Sequence, residues 1–459
     1  MRTSIVITCA FLALSLLQTE THANDDGLIH GMSPAAKVVE PGYSPDAERV
    51  DVTVYRRRPP EARATNVPPD ILSLRQRDPE VFARQLSAYL TDGVQDPFLR
   101  IKTLHDWITL NIEYDVDALF LDHYYPSQHF RDVLTRGTAV CSGYANLLHA
   151  LVSHTDIPSY VIPGYGRGYQ SSALQPVVPH EPNHEWNAVH IDGVWYLVDS
   201  TWNAGGLAGD RFEHRYSTAY LFLEPEHMIF THFPINASHQ LLANPVSAQS
   251  FAALPLYRGA FFSHGFRPFE GLTENASVDN EFTIEFPVPE DEVVLRALLI
   301  DTNGVPHEYR TIARTNDGKG RLQALFPRAG QWVVRLIALD SGAEQGEWMA
   351  DLSVVSQTGT PNEFPQLYLP FYRDNIELIA PEHGPLHYGD EVTIELRMPG
   401  YHDVFVGGRN SGTWLDRVDS TDIFRATLTV SESDDVWVSG RRSPELDFEG
   451  ILGFRVVSE

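Results

Sequence analysis

Cysteine is almost absent: the 459 residues hold only Cys9 and Cys141. Lysine is nearly as scarce, at Lys37, Lys102 and Lys319, so the basic total of 34 is almost all arginine and faces 61 acidic residues. The resulting formal charge of -27 excludes a chain that grips nucleic acid or anionic lipid through its overall field. Long apolar runs are missing too. The longest, Ile5 to Leu17, is short of the ~20 residues a membrane helix needs. Core-forming residues are not lacking: 43% are hydrophobic and 11% aromatic, which excludes a disordered chain. At ~100–200 residues per domain the length predicts about two to four domains.

The apolar run follows Arg2 and leads to Thr21-His22-Ala23, a small-x-small cleavage site before Asn24. Residues 1–23 therefore read as an export signal, and the mature chain is expected to be secreted or periplasmic. Cys9 lies inside the run, so processing would leave Cys141 as the single thiol and exclude an internal disulfide. A lone thiol in an exported chain is either reactive or a small buried hydrophobe, and its count alone leaves both open.

Residues 24–66 lack periodicity and carry Arg56-Arg57-Arg58-Pro59-Pro60; they read as a linker or extended N-terminal segment with solvated arginines. Over 67–247 the pattern predicts helices from Pro79 (with Asp78 as cap), from Pro97 to Asn111, and from Cys141, the last stopped by Pro158. Strands follow at 159–163, 186–191 and 194–199. Beyond that, Phe282/Ile284/Phe286, Trp332/Val334/Leu336 and Val392/Ile394/Leu396 alternate as half-buried strands do, which predicts two β-sandwich domains at 248–357 and 360–459.

Asp192-Gly193 between two apolar runs predicts a two-residue type I′ hairpin. That turn sets Ile191 opposite Val194 and His190 opposite Trp195, and by extension Trp186 opposite Asp199 and His184 opposite Thr201. His184 and Asp199 then share a face as diagonal neighbours ~7–8 Å apart at the backbone, a gap that an imidazole and a carboxylate can close. A one-residue slip would separate them. The remaining need is a nucleophile. Cys141 begins a helix, where the positive end of the dipole and free N–H groups favour a thiolate and can hold an oxyanion. Cys141, His184 and Asp199 thus form a nucleophile, base and orienting carboxylate.

The segments Gly137-Thr-Ala-Val-Cys-Ser-Gly-Tyr-Ala-Asn-Leu-Leu148, Asn183-His-Glu-Trp-Asn-Ala-Val189 and Trp195-Tyr-Leu-Val-Asp-Ser-Thr-Trp-Asn203 resemble the transglutaminase-like superfamily. Its kyphoscoliosis peptidase branch is the most similar, with Asp106-Trp-Ile-Thr-Leu-Asn-Ile-Glu-Tyr-Asp115, Tyr220-Leu-Phe-Leu-Glu-Pro225, Thr231-His-Phe-Pro234 and Gln240-Leu-Leu242 adding to the likeness. The resemblance implies an α+β fold, a papain-like transglutaminase core followed by two all-β immunoglobulin-like sandwich domains. It also implies a Cys-His-Asp triad on the three residues just derived, with no metal or organic cofactor. Cys141 is followed by Ser-Gly-Tyr rather than the Trp-Val-Phe run of the animal crosslinking enzymes, and no equivalent of their oxyanion tryptophan or calcium sites is visible. Hydrolysis of peptide or glutamine amides is therefore expected ahead of transamidation, and a catalytically silent scaffold is the third reading. The expected partners are a protein or peptide substrate and, through the sandwiches, a cell-surface protein or polymer.

Other motifs compete. His180-Glu-Pro-Asn-His184 fits a zinc-protease pattern, but that chemistry needs a helix, and Pro176, Pro179 and Pro182 exclude one. Asp115, Asp117 and Asp122 lack the glycine and closing glutamate of a calcium loop and read as a solvated acidic face. Trp186 and Trp202 line either groove or core, as do Tyr144 and Asn146; Asn187 points away from His184 toward a structural bond. Gln128 and Tyr124 are candidate oxyanion donors. Asn236 and Asn275 stand in glycosylation sequons.

Overall fold

Asp78 Oδ1 accepts the Val81 N–H at 3.0 Å with Pro79 in the first turn, and so starts α1 (Pro79–Thr91). Asp96 caps α2 (Pro97–Asn111) in the same way, and α3 runs Cys141–Val152. The computed structural model describes residues 40–44, 48–121, 123–168, 171, 173, 178–270, 272, 276–289, 293–316, 318–339, 346–409, 411–431 and 435–458. The export signal, Asp122 and Asn275 lie outside the described residues. Among the described residues no helix is long and apolar enough to cross a membrane.

The core sheet contains β1 (Ser159–Gly166), β2 (His184–Ile191) and β3 (Val194–Val198), followed by α4 (Ser200–Ala204), β4 (Leu221–Leu223) and β5 (His232–Pro234). Its order is β4-β3-β2-β1-β5, antiparallel throughout. Val189, Ile191, Val194, Tyr196 and Val198 pack with Phe82, Leu104 and Leu148 of the three helices. On the opposite face Trp186, Ala188, Trp195 and Leu197 join Phe261, Phe282 and Trp332 from the region that follows. Burial on both faces explains why β2 and β3 read as nearly continuous apolar runs.

Residues 50–66 are not an extended linker, although Arg57 and Arg58 are exposed as expected. They form two single-turn helices, Thr53–Arg56 and Ala62–Thr65, with Val52 and Ala64 buried. Arg56 pairs with Glu224 at 3.0 Å. The Pro59 carbonyl accepts from Lys102 Nζ at 2.9 Å, and the Glu61 N–H donates to Asp106 Oδ2 at 2.8 Å. The aperiodic sequence hid this, because the segment docks through its backbone onto buried charges of α2.

The first sandwich is built from β6 (Glu281–Pro287), β7 (Val294–Ile300), β8 (Thr311–Asn316), β9 (Lys319–Leu325), β10 (Gly330–Leu339) and β11 (Glu347–Ser356). One sheet has the order β6-β9-β8; the other carries β11-β10-β7 with three short strands. Phe282, Phe286 and Leu322 of the first sheet meet Leu299, Trp332, Val334 and Leu336 of the second. The second sandwich pairs a five-stranded sheet with a four-stranded one around Ile394, Leu396, Val404, Val438 and Leu452. Ile312 and Leu325, on the outer face of the β6-β9-β8 sheet, belong to that second core.

Candidate active site

The turn at Asp192 (φ 49°) and Gly193 (φ 85°) has the positive φ at both central positions that type I′ requires. Pairing follows the expected register from Ile191↔Val194 to Asn187↔Val198. There it stops, so Trp186 and His184 do not pair with Asp199 and Thr201. The chain instead turns into α4, because Asp199 Oδ1 caps that helix by accepting the Trp202 N–H at 3.0 Å. The cap leaves the other carboxylate oxygen pointing at His184, whose Nε2–H donates to Asp199 Oδ2 at 2.7 Å. Gly166 permits this position: a Cβ there would stand 3.0 Å from the His184 ring.

With Nε2 committed, Nδ1 is the imidazole's free nitrogen, and the Cys141 thiol is the hydrogen-bonding neighbour of this ring. Cys141 is half-buried at the first position of α3, preceded by Val140 in extended conformation. Gln128 Oε1 accepts the Val140 N–H at 3.0 Å, and Gln128 Nε2 donates to Pro126 O at 2.9 Å. That amide braces the residue before the thiol. Gly143 makes room for it, since a Cβ there would meet Gln128 Oε1 at 2.4 Å.

Burial alone would lower the His184 pKa, but the Asp199 carboxylate, then the Cys141 sulfur, outweigh it and push it up to about 10. Burial would likewise raise Asp199, yet His184 and then His232 hold its carboxyl well below the usual range.

His232 is the site residue that sequence reasoning did not assign; its only signal was membership of the Thr231-His-Phe-Pro234 segment. It starts β5, at the far edge of the sheet from β3, and its Nε2–H donates to the same Asp199 Oδ2 at 3.0 Å. Thr231 Oγ1 lies 2.9 Å from its Nδ1. Burial pulls the His232 pKa down to about 4 against the pull of Asp199, with the charge on His184 adding to the depression. Trp202 covers both imidazoles, with ring centroids 5.1 Å from His184 and 4.4 Å from His232. Trp186 packs beside them, buried in the core.

His184, Asp199 and His232 offer three ligand atoms within 4.8 Å of one another. The carboxylate oxygen stands 2.7 and 3.0 Å from the two nitrogens. Those are hydrogen-bond lengths, whereas tetrahedral ligands ~2.1 Å from a zinc ion stand about 3.4 Å apart. The three residues fit a proton-shared cluster better than a metal centre. His180 lies in irregular chain and His184 on a strand, so the helical spacing a zinc protease needs is absent there.

The remaining expectations divide. Asn187 Nδ2 donates to Ala145 O at 3.0 Å and ties β2 to α3, the structural bond expected of it. Tyr144 is core, with its hydroxyl on Ile112 O at 2.6 Å, and Asn146 Nδ2 donates to Gln128 O at 3.2 Å. Asp115 is not solvated: it is buried and caps a short helix by accepting the Ala118 N–H at 3.0 Å. Tyr124 is exposed. Tyr114, on a strand paired parallel with Thr138–Ala139, has its phenol pKa raised by burial and then by the nearby Cys141.

Residues 84–200 match the family model for the transglutaminase-like superfamily. Kyphoscoliosis peptidase of Mus musculus is 30% identical over 197 residues, covering 41% of this chain and 29% of that protein. Hillarin of Drosophila melanogaster is 26% identical over 221 residues, covering 42% of this chain and 25% of its own length. The matches thus span less than a third of these relatives. Among solved structures, a crystal structure of a TGase aligns at 18% identity with a TM-score of 0.23, over 33% of this chain and 38% of that one.

Proposed function

We propose that this chain, which carries a transglutaminase-like domain of the kyphoscoliosis peptidase branch, is an exported cysteine-dependent acyl-transfer enzyme that hydrolyses peptide or glutamine amides. One observation carries the reading: His184 gives its Nε2–H to a buried, capped aspartate and keeps Nδ1 for the only thiol that processing would leave. With the His184 pKa pushed up to about 10, the proton shared with Cys141 rests on Nδ1, and the sulfur left as thiolate bonds to the amide carbon. The Cys141 and Ser142 N–H groups, which precede the first bonds of α3 (Gly143 and Tyr144 onto Val140 O), hold the oxyanion. When the C–N bond breaks, the imidazolium returns its proton to the leaving amine and a thioester remains. Water, deprotonated by the same Nδ1, opens it and regenerates the thiol. Asp199 holds the imidazole tautomer throughout and is not itself protonated.

The test is the rate of Cys141 alkylation by iodoacetamide between pH 5.5 and 9, in the parent and in His184→Ala, using mature protein with this single thiol. Fast labelling near pH 6.5 that is lost in the variant supports the reading. Equal rates in the two proteins, or no labelling of the folded chain, would sink it in favour of a scaffold. With activity in hand, a new carboxylate (a new chain end, or glutamate in place of glutamine) marks hydrolysis, and amine incorporation into glutamine marks transamidation; ammonia leaves glutamine in both.

A further inference from the structure

A second charged site lies far from the triad in sequence, between the two sandwiches. A cavity of about 330 Å³ is lined by Glu285, Arg314, Lys319 and Arg321 of the first sandwich and by Tyr372, Glu377 and Arg397 of the second, among others. Its floor is the β6-β9-β8 sheet, and α5 (Leu369–Arg373) forms part of its wall. Strand register sets Arg314 directly opposite Arg321, and Arg321 opposite Glu285. Like charges facing each other across adjacent strands destabilise a sheet, and here a single cross-strand carboxylate, Glu285, opposes a pair of arginines.

Two other half-buried arginines of the sandwiches take carboxylates. Arg335 grips Asp351 with two bonds of 2.8 and 2.9 Å, and Arg397, in this same cavity, is neutralised by Glu377 at 3.0 Å. The side chains of Arg314 and Arg321 make no hydrogen bond and no ion pair among the described residues, and the Arg321 Nε is buried without an acceptor. Lys319, one of three lysines in a chain of net charge -27, stands exposed where β9 begins. The lining holds four cations against two carboxylates, one of them already paired. Desolvation and the neighbouring Arg321 both work against the charge on Arg314 and outweigh the attraction of Glu377 and Glu382.

We propose that this cavity binds an oxyanion, as sulfate, phosphate or carboxylate, carried on a ligand about the size of one acidic sugar unit. Guanidinium forks match planar or tetrahedral oxyanions through paired N–H donors. The volume is at the small end of the ~300–1,000 Å³ range of ligand sites. The bound anion supplies the acceptor that the Arg321 Nε lacks and removes the repulsion across β8 and β9. The half-buried Tyr372 gives the ring of such a ligand a flat wall.

The experiment is thermal unfolding of the full mature chain, titrated with sodium sulfate, sodium phosphate or sodium glucuronate, each against sodium chloride at matched ionic strength. The expected result is a saturable rise in Tm with at least one of the three; the arms separate an inorganic anion from a sugar acid. The Arg314→Gln/Arg321→Gln variant should bind about tenfold more weakly or worse, with an unliganded Tm no lower than the parent's because the repulsion is gone. Lys319→Gln, at an exposed position, serves if the double variant does not fold, and should weaken binding severalfold. Arg425→Gln, which breaks a surface pair with Glu395, should change nothing. No saturable shift with any anion, or an equal shift in the arginine variants, overturns the site. Cys141→Ala should bind as the parent does, which separates this result from the fate of the catalytic reading.

Discussion

Among the described residues, the region that matches the transglutaminase-like model contains two fully buried aspartates, and they are used differently. Asp106 on α2 accepts Lys102 Nζ at 2.6 Å, the Glu61 N–H at 2.8 Å, the Tyr216 hydroxyl at 2.8 Å and His105 Nδ1 at 3.1 Å. Asp199 accepts His184, His232 and the Trp202 N–H. Both carboxyls are held below the usual range, in each case because charged or hydrogen-bonding neighbours outweigh burial. The difference is what lies beyond the first partner. Behind His105 is Asn203, whose amide closes the network at 2.9 Å, and Lys102, His105 and Asp106 are all sealed from solvent. Behind His184 is a half-buried thiol. A buried carboxylate surrounded by satisfied donors is a structural pin, and the same carboxylate one imidazole away from a reachable sulfur can orient a base. The two networks also touch in sequence, since Asn203 belongs to α4, the helix that Asp199 caps.

Four substitutions test that contrast. The largest effect is expected of His184→Ala: turnover per folded molecule on any amide substrate should fall by about three orders of magnitude or more, and the urea midpoint should fall as well because buried Asp199 loses its imidazole partner. A folded variant that keeps its turnover would erase the distinction between the two aspartates. Next comes Lys102→Met, which leaves the Asp106 charge buried without its cation. It should cost about 3–5 kcal/mol of stability in urea titrations while the alkylation rate of Cys141 in the folded fraction stays unchanged.

The third concerns pH. Below the ordinary histidine pKa of ~6.5 the unfolded chain protonates His232, whereas the folded chain resists until about pH 4. Stability should therefore fall by roughly 3 kcal/mol as pH drops through that window. His232→Gln, which can still donate to Asp199, should remove this acid limb in urea titrations at pH 7 and pH 5. His184 has the opposite sign: its contribution is complete below ~6.5 and is lost as pH rises through about 10. The smallest effect belongs to Gly193→Ala. Its φ of 85° strains any other residue, so the variant should lose about 1 kcal/mol with alkylation kinetics intact. A change in those kinetics would mean that the turn, and not only the register, positions His184.

Much of this molecule was legible locally. The Asp78–Pro79 and Asp96–Pro97 pairs start helices because an N-cap and a first-turn proline act within a few residues. Asp192-Gly193 sets the hairpin because only a left-handed pair closes a two-residue loop with the twist of its strands. The His184–Asp199 proximity follows from that register, although the bond is delivered by a helix cap rather than by strand pairing. The alternation at Trp332/Val334/Leu336 and Ile394/Leu396 likewise marked strands with one face in a core.

The chain by itself thus determined its helices, its hairpin, its sandwich strands and the nearness of base and carboxylate, because each depends on neighbours along the backbone. Tertiary structure alone decided the rest. It brought His232 across the sheet to share Asp199 and folded residues 50–66 onto Asp106. It merged one face of the core sheet with the core of the first sandwich, and it set Arg314 opposite Arg321. Those contacts join groups distant in sequence, and what selects them is the cost of leaving a buried charge or apolar face unmatched, which no local pattern records.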